Sequence, residues 1–259
     1  ALDYLIKVKE MPFMQAVETI MGNVAVSPPT YTPTQNQPKE KVLLLPKANR
    51  CATHAVEYLH SRGIHYDLID FCISTGRLYE SYPYHNVVFI GMDRSGKPRY
   101  ANLRGIGSDF IGDANGSDKH YSFGIPAANE SGTLNLFESA IDLLSYGAMQ
   151  KLDGKDWRSD NLLSLAGVYK PKANTPESSL PVALVQYLAD YPHIRKVVLR
   201  LDNDHTGKLA AETIKTLLSK KYAVTVEIQP PPQGKDYNDC LCLRLGLPIT
   251  KRKERTKER

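Results

Sequence analysis

Two carboxylates one residue apart, Asp202 and Asp204, follow the apolar run Val197-Val198-Leu199 and precede Gly207 and a helical pattern. Side chains alternate between the faces of a strand, so residues two apart share a face. If extended geometry persists to the strand end, both carboxylates point the same way and repel. A hard divalent cation relieves such repulsion, because Mg²⁺ takes oxygen ligands and keeps waters for substrate phosphates. The alternative at this point is a polar loop after a strand, with Asp204 capping the helix. Two further acidic elements stand elsewhere in the chain. Glu138 follows the short apolar stretch Thr133–Phe137, and Gly234-Lys235-Asp236-Tyr237-Asn238-Asp239 follows three prolines at 230–232. Gly, Asp and Asn are turn residues, so this last loop calls for no function by itself.

The elements that must position these acids can be read from hydrophobic periodicity. From about residue 131, strand and helix alternate four times: a strand at 133–137, a helix to about 149, a strand at 162–166, a helix at 179–190, a strand through 197–199, a helix at 207–220 and a strand at 223–228. Such alternation is the pattern of a parallel sheet with both faces covered. In such sheets ligands sit at the carboxyl ends of the strands. Glu138 and Asp202 are 64 positions apart, yet both end strands and so fall on one rim, with Asp236 and Asp239 beyond the last strand. Residues 41–130 read differently. Helices at about 53–62 and 66–72 precede a hairpin, NVVFIGMD and KPRYANLRG about the turn Asp93-Arg94-Ser95-Gly96, which makes an α+β segment. Residues 1–22 read as a strand-like start, DYLIKV, followed by a helix from about Pro12 to Met21. Residues 27–40 hold four prolines and few apolar groups, an extended linker.

Composition narrows the class without choosing a function. The 259 residues are 42% hydrophobic and 24% charged, ordinary for a globular chain. No apolar run approaches the length that spans a bilayer, and no secretory signal is present, so a cytoplasmic protein without a membrane is expected. Cys51, Cys72, Cys240 and Cys242 form no CxxC pair, which argues against a zinc site or a disulfide framework built on them. The net charge is +5, but the tail at 251–259 carries 6 basic and 2 acidic residues, leaving the body near neutral. That tail could touch phosphates, or be a solvated terminus.

Glu138 at a strand end, then Asp202-Asn203-Asp204 with Thr206-Gly207 and a helix, then the GKDYND loop, resembles the Toprim domain shared by bacterial-type DNA primases, topoisomerases and some nucleases. The likeness covers about 131–245. Upstream, LHSRGIHYDLIDFCISTG and NVVFIGMDRSGKPRYANLRG followed by DKHYSF are similar to the helix pair and hairpin that precede Toprim in a primase core. The order resembles primase-like proteins of plasmids and integrative mobile elements. The family commonly has Glu-Gly and Asp-Gly-Asp where this chain has Glu138-Ser139 and Asp202-Asn203-Asp204. The resemblance implies an α/β Toprim-type parallel sheet with flanking helices at 131–248, preceded by a smaller α+β primase-core-like subdomain at 41–130. It also implies that 1–26 is the remnant of a zinc-binding-domain tail, with zinc only in an upstream domain outside this sequence; 27–40 is then the linker and 249–259 the basic tail.

The same resemblance assigns roles. Glu138 would be the general acid/base or would orient a metal-bound water. Asp202, Asp204, Asp236 and Asp239 would join it in holding Mg²⁺ or Mn²⁺, two ions in all. Arg104, Lys119, Lys208 and Lys235 would meet template or nucleotide phosphates. The implied activity is short-primer synthesis from NTPs on single-stranded DNA, beside a replicative helicase or relaxase. A Toprim nuclease and a catalytically degenerate DNA- or partner-binding module are the alternatives. A topoisomerase would need a nucleophilic tyrosine in a separate domain.

Overall fold

The protein is described as a computed structural model covering residues 1–21, 42–165, 167 and 179–249. The expected linker and basic tail lie outside these residues. The chain divides into two compact units, Ala1–Glu40 and Lys41–Arg259. In the first, α1 (Leu2–Lys7) and α2 (Phe13–Met21) form a helical pair. The expected strand at the start is therefore corrected to a helix. Asp3 in its first turn and Lys7 in its last suit the helix dipole and stand four residues apart. Among the described residues of this unit the segment has no second strand to pair with.

The second unit holds two sheets. The first runs β1 (Leu78–Glu80), β2 (Val87–Met92), β3 (Pro98–Arg104) and β4 (Ile111–Asp113) in that order, antiparallel throughout. The expected hairpin is β2–β3. Its turn is closed by Asp93, whose Oδ1 accepts the Ser95 and Lys97 N–H groups, and by Gly96 at φ +80°. Along β2, Val87 and Phe89 face one core while Val88 and Ile90 face another. The helices α3 (Thr53–Ser61) and α4 (Tyr66–Ser74) pack into the first of these cores.

The second sheet is mixed, in the order β5 (Gly124–Ile125), β7 (Asn161–Ser164), β6 (Thr133–Phe137), β8 (Lys196–Arg200), β9 (Thr225–Ile228). Four strands are parallel and β5 alone runs against them. The strand expected at 162–166 ends at Ser164. The connecting helices are α5 (Ala140–Leu152), α6 (Val182–Asp190) and α7 (His205–Lys221), and α8 (Tyr237–Leu245) follows β9. Leu134, Leu136, Val197 and Leu199 face α6 and α7, while Phe137 faces the opposite side with α5 and α8. That side is continuous with the core of the first sheet, because Phe89, Phe123 and Phe137 belong to one buried cluster. The two sheets are thus held by a shared apolar interior. Hydrophobic burial makes it worth far more than any surface pair.

Candidate active site

The sheet order creates the site. From β6 the chain crosses to β7 on one side, then from β7 to β8 on the other. The carboxyl ends of β6 and β8 therefore flank the point where the winding reverses, where open α/β sheets bind ligands. The two strands are paired in register up to Phe137 beside Arg200. Glu138 comes next after the first, and Asp202 two residues past the second.

Of the two readings of the Asp-x-Asp stretch, the helix cap is present in the structure. Asp204 is the N-cap of α7, accepting the Gly207 N–H at 2.8 Å, and its other oxygen lies 3.2 Å from Lys235 Nζ. The same ammonium is 3.6 Å from Asp202 Oδ2, so one cation spans both carboxylates. Gly207 allows this closeness, since a Cβ there would sit 2.1 Å from the Asp202 carbonyl oxygen. The third acidic loop is tied in by the Asn203 N–H, which donates to the Lys235 carbonyl at 2.7 Å. Asp236 caps α8 by accepting the Asp239 N–H at 2.7 Å, and Asp239 Oδ2 accepts the Lys235 N–H at 3.2 Å.

The sequence reading missed Asp142. Ser139, standing where glycine is common in the family it resembles, is the N-cap of α5 and its hydroxyl is 2.5 Å from Asp142 Oδ2, while the Asp142 N–H returns to Ser139 Oγ. Ser139 thus caps the helix, and Asp142 at the third helical position binds the capping hydroxyl rather than the cap's own N–H. Asp142 Oδ1 also faces the Asn238 N–H at 3.4 Å, and Asn238 in turn donates to Ser145 Oγ and the Arg62 carbonyl. The signal was available as a Ser-x-x-Asp box immediately after Glu138.

The closeness of these groups shifts their protonation. Asp202 is only 5% exposed. Burial, then the charges of Glu138 and Asp236, push its carboxyl up to about 7, against the opposing Lys235. Asp142 is raised too, first by burial and then by Asp236 and Asp202. Asp204 differs: burial would raise it, but the Gly207 N–H and Lys235 hold it below the usual carboxylate range.

Beside the acids lies a largely apolar cavity of about 280 Å³ whose lining includes Arg62, Arg104, Phe89, Glu138, Asp142 and Asp236. Arg104 Nε reaches Tyr58 Oη at 3.4 Å. Of the expected basic residues, Lys235 is brought to the acids, and Arg104 lines the same cavity as Glu138, Asp142 and Asp236. Lys119 is paired with Asp113 at 3.0 Å and lines a separate depression near Gly116, and Lys208 is exposed on the first turns of α7. Beneath the edge, Arg200 Nε donates to Asn135 Oδ1 at 2.7 Å and its NH1 to Tyr237 Oη at 2.9 Å, with its guanidinium 4.2 Å from the Tyr146 ring centre. It locks β6, β8 and the start of α8 together.

The donor set at the edge is all oxygen, with two buried carboxylates whose charge is poorly offset, which suits a hard divalent cation. Among the described residues, His54, Glu80 and His85 are the set of three ligand atoms lying mutually within 4.8 Å.

Residues 135–241 match the family described as Toprim-like, and 57–129 match a family described as a protein of unknown function (DUF3991). Residues 135–241 thus form a Toprim-like domain, preceded by an α+β sheet segment. The fold is that of a primase core. The primase fragment of the bacteriophage T7 primase-helicase protein superposes with a TM-score of 0.50 at 16% identity, over 74% of this chain and 69% of that one. A DNA primase domain from Pseudomonas aeruginosa gives 0.48 at 13% identity, over 73% and 67%. A 65 kDa protein of Zymomonas mobilis subsp. mobilis is 30% identical over 212 residues, which are 78% of this chain. The match spans about a third of that relative's length, 33%. Among the described residues, no helix is long and apolar enough to cross a membrane.

Proposed function

We propose that the protein is a primase-like, metal-dependent nucleotidyltransferase that makes short primers on single-stranded DNA, in the service of mobile-element replication. The observation that carries this reading is the meeting of Glu138, Asp142, Asp202 and Asp236 at the winding reversal, beside a cavity whose lining includes Arg62 and Arg104. Glu138, Asp202, Asp204 and Asp236 would hold Mg²⁺ or Mn²⁺, two ions being the expected number, with Asp239 beside them. Bound ions supply charge neutralisation for the triphosphate and alignment of the attacking 3′-oxygen. Arg62 and Arg104 bind phosphate oxygens from the cavity lining, and Lys235 gives up its place between Asp202 and Asp204 to do the same. Lys119 and Lys208 lie further out and serve the template backbone, with the salt sensitivity of such contacts. Glu138 takes or orients the proton of the attacking hydroxyl.

Partners are a single-stranded template, NTPs, and a replicative helicase or relaxase of the same element. The T7 fragment that shares the fold comes from a primase-helicase protein, which favours the helicase. Incubating the full chain with single-stranded DNA, labelled NTPs and Mn²⁺ tests the reading. Short labelled primers that vanish in Asp202→Asn support it. Cleaved DNA would instead indicate a nuclease, and a folded protein that binds DNA and does neither would be a binding module.

A further inference from the structure

We propose that His54, Glu80 and His85 form a second metal site, separate from the acidic edge, that takes one zinc-class divalent ion and pins the β1–β2 loop to the start of α3. Glu80 ends β1, His85 lies in the short loop between β1 and β2, and His54 is the second residue of α3. The donor atoms, Nδ1 of each ring and a Glu80 oxygen, all lie within 4.8 Å of one another. His54 Nδ1 is 3.0 Å and His85 Nδ1 2.5 Å from Glu80 Oε1. Adjacent ligands in a tetrahedral zinc shell stand about 3.3 Å apart, given bonds near 2.0–2.1 Å. Small ring movements therefore admit an ion.

Three features favour an ion over a plain hydrogen-bonded cluster. First, Asn49 Nδ2 also reaches Oε1, at 2.9 Å, so three donors crowd one oxygen. A carboxylate oxygen offers about two lone-pair directions. Moving both imidazoles from that oxygen onto a cation relieves the crowding. Second, the carboxylate is already oriented as metal-bound carboxylates are. Its other oxygen accepts the Ala55 N–H at 3.1 Å, and Asn49 supplies the outer hydrogen bond. Third, His85 sits at φ +53°, a backbone region that non-glycine residues rarely occupy, and this conformation turns its ring onto Glu80. The Glu80 side chain is wholly buried while His54 and His85 are 56% and 42% exposed, leaving an open face for a water ligand. Two imidazoles and one carboxylate suit Zn²⁺ and its neighbours in the series over Mg²⁺.

The test is a Co²⁺ titration of the chelator-treated full chain, read by ligand-field absorption, with excess Mg²⁺ present to satisfy the edge acids. Zn²⁺ uptake is measured in parallel by equilibrium dialysis. One equivalent should bind, and should still bind in Asp202→Asn. His54→Gln and His85→Asn should each weaken binding by at least about a hundredfold, and Asn49→Ala by about tenfold. Asn tolerates the left-handed backbone at position 85, and circular dichroism checks that each variant is folded. Absence of any Asp202-independent equivalent in the wild type, or equal uptake by both histidine variants, overturns the site.

Discussion

Asp202 and Glu80 are both carboxylates inside the same folded unit, 5% and 1% exposed, and their surroundings drive them in opposite directions. Burial penalises the charged form of each. At Asp202 the nearest further influences are other carboxylates, Glu138 and Asp236, and the group climbs to about 7. At Glu80, burial is outweighed by hydrogen bonds from His85, the Ala55 N–H, His54 and Asn49, and the group falls to about 2. Without an ion, Glu80 thus meets its electrostatic needs with protein donors. Among the described residues Asp202 has only a shared ammonium, and the deficit is of the kind a divalent cation supplies. The contrast separates a buried carboxylate supplied with donors by the fold from one that stands among other carboxylates.

The largest expected break in this contrast is Asp202→Asn. It should reduce primer synthesis by about a thousandfold, the scale of several kcal/mol of lost charge stabilisation. Stability of the ion-free protein should behave oppositely. A carboxyl whose folded pKa is raised binds more protons folded than unfolded, so stability falls as pH rises from the ordinary carboxylate range to about 7. Thermal melts of the wild type in chelator should show that decline, and Asp202→Asn should flatten it. A second break is Gly207→Ala. The added Cβ would meet the Asp202 carbonyl at 2.1 Å, so α7 must retreat and carry Asp204 with it. A loss of about 1–3 kcal/mol in stability is expected from such overpacking, read by denaturant midpoint, together with weakened Mn²⁺ binding by calorimetry.

Glu80→Gln tests the other member of the pair. Removing the charge while keeping the shape should cost about 1–3 kcal/mol at pH 7, because hydrogen bonds to a charged acceptor are the stronger ones. The pH dependence is the mirror image of that at Asp202. A carboxyl held at about 2 stabilises the fold above its unfolded pKa, and that stability is lost as pH falls through the folded value. Acid unfolding of Glu80→Gln should therefore be shallower than that of the wild type. An equally steep acid limb would show that Glu80 is not the group held low.

What the sequence revealed follows from the range over which each feature is encoded. The β2–β3 hairpin and the four strand–helix alternations are written in local periodicity and turn residues, and they stand where expected. Glu138, Asp202 and Asp236 were legible because each follows a strand. Strands of two or three residues, β1, β4 and β5, are too short to carry a period of two, so the antiparallel edge strand β5 and two strands of the first sheet were invisible. Asp142 hid inside an apolar helix, where a single acid reads as a solvent-facing position. Arg200, which ties β6 to α8, looked like the polar end of a strand. The set at 54, 80 and 85 matches no metal-ligand spacing, since only the pairing of β1 with β2 and the packing of α3 assemble it.

The smallest effect lies at Ser139, which links helix capping to the acid edge. Ser139→Ala removes the N-cap of α5 and one hydrogen bond to Asp142. Loss of an N-cap costs about 1 kcal/mol, or about 2–4 °C in melting temperature for a unit of this size. The Ser139 hydroxyl is also one of the influences that lower the Asp142 carboxyl. Its removal should therefore raise Asp142 further and widen the gap between the acid edge and Glu80. NMR titration of ¹³C-labelled aspartate carboxyls in chelator reads that rise directly. Ser139→Thr, which keeps the hydroxyl, should restore both the melting temperature and the titration, whereas a purely steric role for residue 139 would leave Thr no better than Ala.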